Sequence, residues 1–189
     1  MTNAADILHA LQQFASKARA KQSQRYFKTG KGEYAEGDIF LGIRNPDLLS
    51  LAKKCRTLDL EQVQILLYNQ YHEARLLAAM ILVEQYQRTK DPERKNKIAA
   101  FYLHHTPQFN NWDLVDCSAY KILGPHLYNA ERAILYEFAS AEDLWLRRIA
   151  IITTLYFIKQ EPFDDALKLA VQLLNDPHDL IHKAVGWML

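Results

Sequence analysis

Helical spacing of apolar residues runs through almost the whole 189-residue chain and constrains its fold more than any other feature. Apolar residues recur every three or four positions, whereas segments that alternate apolar and polar residues are nearly absent. From Asp47 onward, short breaks that mostly contain proline divide the pattern into blocks of helical length. We therefore predict an all-α protein with helices at 47–57, 60–70, 72–89, 92–105, 112–122, 130–140, 142–159, 163–175 and 178–189.

The first 46 residues combine an amphipathic segment with one long irregular connection. Residues 1–21 place apolar side chains such as Ile7 and Leu11 at helical spacing, which predicts one amphipathic helix and not the unbroken apolar core of a secretory signal. Residues 28–46 hold four of the six glycines, which favours a loop. Since no apolar run approaches the length of a membrane span, we expect a cytoplasmic protein without a membrane partner.

Composition predicts a single folded domain over residues 1–189. The chain is 49% apolar and has only six glycines and six prolines, so disorder and long linkers are disfavoured. The net charge is 23 − 22 = +1, which neither favours nor excludes nucleic acid as a partner. Cys55 and Cys117 lie far apart without the spacing of metal ligands, which is typical of a reducing compartment.

Three helical blocks share the same kind of start. Glu73, Asp143 and Asp179 are each followed within a few residues by basic side chains and then by small or branched apolar residues, and Asp113 lies at a fourth such start. The separations are 113 − 73 = 40, 143 − 113 = 30 and 179 − 143 = 36 residues. Intervals of this size predict an α-solenoid of antiparallel helix pairs, in which we expect the repeated basic groups to form a stripe on the concave surface.

The segment around Trp112 holds the most informative side chains. Asn111 is suited to cap the helix that follows, and Trp112 and Asp116 are four residues apart, on one face of that helix. Spacing alone favours a structural interpretation, in which Trp112 fills a groove between repeats and the carboxylate complements the helix dipole.

Two further clusters combine basic and aromatic residues. Arg147 and Arg148 are adjacent, so they point about 100° apart on a helix and at most one faces a groove. His182 and Lys183 precede Trp187 by about one turn. Solvated or ion-paired side chains would account equally well for these basic residues.

Familiar catalytic motifs are absent, which excludes several enzyme classes. The sequence has no Walker loop, no dinucleotide fingerprint, no His-Glu-x-x-His and no Gly-x-Ser-x-Gly. We therefore expect a function that needs no metal and no cofactor.

Taken in order along the chain, five stretches resemble the AlkD family of bacterial DNA alkylation repair proteins. The similarity extends from about residue 25 to the last residue. It implies a HEAT-like α-α superhelix and a monofunctional glycosylase that removes N3- and N7-alkylated purines from double-stranded DNA without an obligatory protein partner. The stretches are Tyr26–Gly30, Gly37–Arg44, Asn111–Asp116, Trp145–Arg148 and Ile181–Leu189.

The resemblance also implies roles for individual residues. Asp116 corresponds to the catalytic aspartate, and Trp112 and Trp187 to tryptophans beside the lesion. Arg148, and not Arg147, is expected to face the DNA backbone. The expected DNA-binding residues are Arg148, Arg44, Lys28, Lys183 and His182.

Two other functions remain open at this stage. A catalytically silent repeat scaffold could bind DNA or protein through the same concave face, and the near-neutral charge suits a protein-interaction module. The Trp112 and Asp116 pair together with Trp187 favours the enzyme, because a scaffold for phosphates needs no carboxylate in its groove.

The family pattern continues beyond the last residue of this sequence. Because a solenoid normally ends in a helix with a polar outer face, we expect either that C-terminal capping helices are lacking or that another surface, such as an oligomer partner, covers that end. Ile181, Val185, Met188 and Leu189 would then be partly uncovered.

Overall fold

The computed structural model describes residues 2–189, and within them every regular element is helical. This confirms the predicted all-α fold class. None of these helices is both long and apolar enough to cross a bilayer. The helices are α1 Ala4–Gln13, α2 Lys17–Tyr26, α3 Asn45–Lys54, α4 Leu60–Leu67, α5 His72–Arg88, α6 Pro92–His104, a 3-10 turn Thr106–Gln108, α7 Trp112–Leu127, α8 Ala133–Ala139, α9 Leu144–Ile158, α10 Asp164–Gln172 and α11 Asp179–Met188.

The predicted blocks correspond to α3–α11, and the largest difference is at the end of α7. We predicted a break at Gly124 and Pro125, but α7 continues through both to Leu127. A Cβ atom on Gly124 would lie 2.3 Å from the Cβ of Tyr156, so this glycine lets α7 approach α9 closely. The glycine therefore reflects helix packing and does not end the helix.

The prediction of one N-terminal helix is wrong, because the described residues form two helices there, α1 and α2. Ser16 separates them: its hydroxyl accepts from Arg19 N at the start of α2, and its own N–H donates to the carbonyl of Leu41 at 2.8 Å. No residue of α2, which the structure describes throughout, is buried. Met1, where the predicted helix began, lies outside the described residues.

The chain divides into two compact units, Met1–Arg88 (unit 1) and Thr89–Leu189 (unit 2). In unit 1, α5 packs against α3 and α4, and α1 packs against α4. In unit 2, α9 packs against α7, α8, α10 and α11, and α6 packs against α7. The single domain predicted over residues 1–189 stays a prediction.

A buried glutamate holds the long loop of unit 1 in place. Glu73, at the start of α5, accepts hydrogen bonds from the backbone N–H groups of Leu41, Gly42 and Ile43 at 2.8, 2.7 and 3.2 Å. The same loop segment passes against α2: a Cβ on Gly42 would lie 2.3 Å from the carbonyl oxygen of Ser16. Glu73, which the sequence pattern places at a helix start, thus binds the backbone of a loop about 30 residues earlier in the chain.

The expected pattern of uncovered apolar residues at the C-terminal end is largely wrong. Among the four named residues only Leu189 is exposed, because α11 packs its apolar side against α9. Large apolar side chains are exposed instead along one side of α10 and its ends: Phe163, Leu167, Val171 and Leu174.

Replacing Gly42 tests the close contact between the loop and α2. Gly42 and Gly32 have nearly the same positive φ, +77° and +79°, but a Cβ on Gly32 meets nothing within 4 Å. Both alanine variants incur the left-handed backbone penalty of about 1 kcal/mol. Gly42→Ala should lose roughly 1–3 kcal/mol more in free energy of unfolding, since it also overpacks two backbones. Denaturant unfolding measures this difference, and equal losses in the two variants would contradict the packing described.

Candidate active site

Trp112 and Asp116 lie on successive turns of α7, and the helix start fixes both. The side chain of Asn111 caps the helix by accepting from Trp112 N at 2.9 Å, and Asp113 accepts from Leu114 N at 2.9 Å. Asp113 is therefore occupied at the helix terminus, as its position in the sequence predicts. Asp116 lies one turn further, where no backbone N–H needs its carboxylate.

Arg148 holds the Asp116 carboxylate through two hydrogen bonds. Its Nε donates to Oδ1 and its Nη2 donates to Oδ2, both at 2.8 Å. Its Nη1 donates to the backbone carbonyl of Leu180. A bidentate arginine–carboxylate pair is among the strongest and most directional polar contacts in proteins. Through this one guanidinium, α7, α9 and α11 are joined within unit 2.

The environment of Asp116 acts on its pKa in two directions. Burial raises the pKa, the hydrogen bonds and positive charge of Arg148 lower it, and the net result is a pKa above the ordinary aspartate value. The Asp116 side chain is 18% exposed and the Arg148 side chain 6%, so the acidic partner of the pair is the more accessible one. Since Arg148 uses only part of the acceptor capacity of the carboxylate, Asp116 retains capacity for a water or a ligand.

Arg147 and Arg148 diverge, as adjacent helical residues must, yet both guanidinium groups are largely buried. Arg147 donates to Asp176 at 2.6 Å and to the carbonyls of Ala141 and Glu142. Arg148 likewise donates from Nε, Nη1 and Nη2 to acceptors within the protein. The contact of Arg148 with the DNA backbone stays a prediction. In the structure, Arg148 positions the carboxylate of Asp116.

Two of the repeated basic residues, Arg75 and Arg147, hold turns and do not face solvent. Arg75 and Arg147, which are 147 − 75 = 72 residues apart, make the same contacts. Each donates to the carbonyls five and six residues earlier and to one carboxylate, Asp38 for Arg75 and Asp176 for Arg147. The recurrence supports a repeated helix pair. The positive charges of Arg75 and Arg147, which we expected on the surface, are instead neutralised by carboxylates inside each unit.

The two tryptophans differ in exposure. Trp112 is partly buried on α7, and Trp187, near the end of α11, is 53% exposed. Apart from its chain neighbours and the nearby backbone of α11, nothing lies within 4 Å of a Cβ built on Gly186, so the backbone beside Trp187 borders open space. An exposed indole next to open space is suited to contact a ligand from solution.

The remaining predicted DNA-binding residues are exposed, and several have local partners. On α11, His182 donates from Nε2 to the carbonyl of Asp176 at 2.6 Å, and Lys183 pairs with Asp179 at 2.9 Å. Arg44 and Lys28 belong to unit 1. Arg44 pairs with Asp47 at 2.9 Å, and Lys28 follows α2 with a positive φ of 54°. Exposed pairs of this kind are weak, so a phosphate can compete for these cations.

Sequence reasoning missed the link between Asp116 and Arg148. The two residues are 32 positions apart, and each had a separate role assigned to it. It also missed the hydrogen bond from Arg148 to the backbone carbonyl of Leu180, because no side chain in the sequence marks that acceptor. The recurrence of helix starts was the signal that could have placed Asp116 and Arg148 on neighbouring helices.

Comparison with known proteins decides the family. Residues 7–189 match the family described as DNA alkylation repair enzyme. The chain belongs to this family. No curated protein matches the sequence. A solved structure of a predicted DNA alkylation repair enzyme from Enterococcus faecalis is similar, with a TM-score of 0.69 and 23% identity over 92% of this chain and 81% of that chain. That likeness concerns the fold, while membership of the family connects the chain with repair of alkylated DNA.

Titration of Asp116 tests its coupling to Arg148. In Arg148→Gln the lowering influence of the guanidinium is lost while burial remains, so the pKa of Asp116 should rise further. Arg148→Lys keeps the charge but not the bidentate geometry and should give an intermediate value. Arg147→Gln is the control, since Arg147 pairs with Asp176. NMR observation of the Asp116 carboxyl carbon measures each pKa, and equal values in the three variants and the unmodified protein would refute the coupling.

Proposed function

We propose that the protein is a monofunctional DNA glycosylase that hydrolyses the N-glycosidic bond of cationic N3- and N7-alkylated purines in double-stranded DNA. One observation carries the proposal: in a chain of the DNA alkylation repair family, Arg148 holds Asp116 on the α7 face that also carries Trp112. The proposal includes HEAT-like repeats as the scaffold and needs neither metal nor cofactor.

The chemistry of the substrate explains why so few groups suffice. A purine alkylated at N3 or N7 carries a positive charge, so it leaves as a neutral base without being protonated first. The sugar becomes cationic as the bond breaks. The enzyme therefore has to stabilise a developing oxocarbenium ion and admit a water molecule to the anomeric carbon. A carboxylate fixed before the reaction supplies that stabilisation without a reorganisation cost.

Asp116 fits this requirement through its geometry. Its carboxylate is the more exposed end of a fixed ion pair, so a sugar that approaches from solution meets negative charge before it meets Arg148. The arginine cancels part of the field at long range and leaves the short-range attraction, because the nearer charge dominates. Arg148 is a positioning residue in this scheme, and Asp116 is the catalytic residue.

Trp112 and Trp187 supply aromatic surfaces for the cationic nucleotide. An indole face attracts a cation by about 0.5–2 kcal/mol, depending on how far the contact is desolvated. Neutral purines lack this attraction, so the tryptophans would favour the damaged base over its undamaged neighbours. The exposed cations Lys28, Arg44, His182 and Lys183 are assigned to phosphates, which position the strand without reading its sequence.

A catalytically silent scaffold is the competing function, and the same ion pair supports it. Joining three helices is a sufficient role for a bidentate pair between Asp116 and the buried Arg148, without any catalysis. The two functions differ in base release, since a scaffold releases no base, whereas an enzyme releases one at a rate that falls when the charge of Asp116 is removed.

Asp116→Asn is the variant that separates them. It keeps the shape of the side chain and removes the negative charge, so excision should slow by about 10²–10³-fold while binding to undamaged DNA stays equal or becomes slightly tighter. Release of N7-methylguanine and N3-methyladenine from methylated duplex DNA under single-turnover conditions measures the rate.

Asp113→Asn is the matched control, because Asp113 is an acidic neighbour occupied at the helix start. It should retain excision close to that of the unmodified protein. Absence of base release by the unmodified protein would favour the scaffold. Loss of excision in Asp113→Asn with full activity in Asp116→Asn would show that the catalytic carboxylate is misassigned.

A further inference from the structure

The cations of this chain are concentrated at its N-terminal end, although the net charge is close to zero. Residues 7–32 contain no acidic residue and six cations. The rest of the chain then has 23 − 6 = 17 cations against 22 acidic residues, a balance of −5. Such an asymmetry within one chain indicates an interaction with an anionic partner. The six cations are Lys17, Arg19, Lys21, Arg25, Lys28 and Lys31.

Helix α2 presents three of these cations on one face. Lys17, Lys21 and Arg25 follow one another at intervals of four residues, about 6 Å along the helix axis. All three are exposed, and no ion pair joins them to any residue among 2–189. Lys21 and Arg25 line an open cleft together with Tyr26. This set of three is called the α2 cationic face below.

The opposite side of α2 fixes the helix to unit 1. Arg19 donates from Nε to the carbonyl of Gly42 at 2.7 Å and from Nη2 to the carbonyl of Phe14 at 3.3 Å. The backbone of Gly42 also lies so close to Ser16 and Ala20 that no side chain fits between them. One arginine of the helix is thus structural, and the α2 cationic face is held in place before any partner arrives, which reduces the ordering cost of binding.

We propose that the α2 cationic face binds the phosphate backbone of double-stranded DNA, as a sequence-independent surface distinct from the Asp116 site. This proposal rests on the proposed function only because both take DNA as the partner. Duplex DNA presents one phosphate charge every 3.4 Å along each strand, so three cations in a row of about 12 Å can all meet phosphates. Tyr26, 66% exposed beside the cleft, adds a hydroxyl that can donate to a phosphate oxygen.

The composition of α2 favours DNA over a membrane surface. A helix that lies on a membrane needs a broad apolar face with side chains such as Leu, Phe or Trp opposite its basic face. The sequence of α2 is KARAKQSQRY, in which the only aliphatic residues are two alanines. Its basic face therefore has no apolar counterpart that could enter a bilayer.

The test removes two charges from the α2 cationic face and two from elsewhere in the same unit. Lys21→Gln combined with Arg25→Gln is compared with Lys53→Gln combined with Lys54→Gln, two exposed lysines of α3 that give the same change in net charge. Binding to an undamaged 20-base-pair duplex is measured from 50 to 300 mM salt. Each lost phosphate contact lowers the slope of log K against log salt by about 0.9, so the α2 variant should lose about 1.8 and bind roughly 10–100-fold more weakly near 0.1 M salt.

The control variant should retain most of the slope and affinity, and circular dichroism should show that both variants are folded. Failure of the proposed glycosylase would appear as absence of base release and would leave the measurement on undamaged DNA intact. The proposal is overturned by an unchanged slope, by an equal loss in the control, or by tighter binding of the unmodified protein to phosphatidylserine vesicles than to DNA.

Discussion

The bidentate ion pair between Asp116 and Arg148 is the contact on which the candidate site depends. It joins α7 to α9, and the third donor of the same guanidinium reaches the Leu180 carbonyl at the start of α11. Burial raises the pKa of Asp116, and the hydrogen bonds and charge of Arg148 lower it, so the arginine favours the ionised carboxylate. In the proposed function, the arginine that joins these helices also holds the proposed catalytic carboxylate, so the Asp116 site and the packing of unit 2 are coupled.

The cations of the chain fall into two groups, one buried and paired and the other exposed. Arg75, Arg147 and Arg148 point inward, where they donate to carboxylates and backbone carbonyls. Lys17, Lys21 and Arg25 of α2 are exposed instead, and no ion pair joins them to the residues that the structure describes. Net charge near zero hides this division, because the inward arginines balance acids that they contact directly. Affinity for DNA then depends on where the unpaired cations lie and not on their total number.

The sequence predicted the helices well and their contacts poorly, for one physical reason. Helix periodicity and capping residues such as Asn111 and Asp143 act within a few residues, so the starts of α7 and α9 were predictable. Gly124, Glu73 and Arg148 contact residues about 30 positions away in the sequence. Local sequence patterns do not indicate such contacts. The candidate site was predictable as a set of residue types through family resemblance, whereas the pairing of Asp116 with Arg148 emerged only from the folded chain.

The pH dependence of base excision tests most directly whether an ionised Asp116, kept so by Arg148, drives the reaction. We expect single-turnover release of N7-methylguanine, corrected for spontaneous loss, to fall as the pH drops through the raised pKa of Asp116. In Arg148→Gln the fall should begin at higher pH, because the influence that lowers this pKa is gone. Identical acid limbs in the two proteins, or excision that does not depend on acid pH at all, would contradict it.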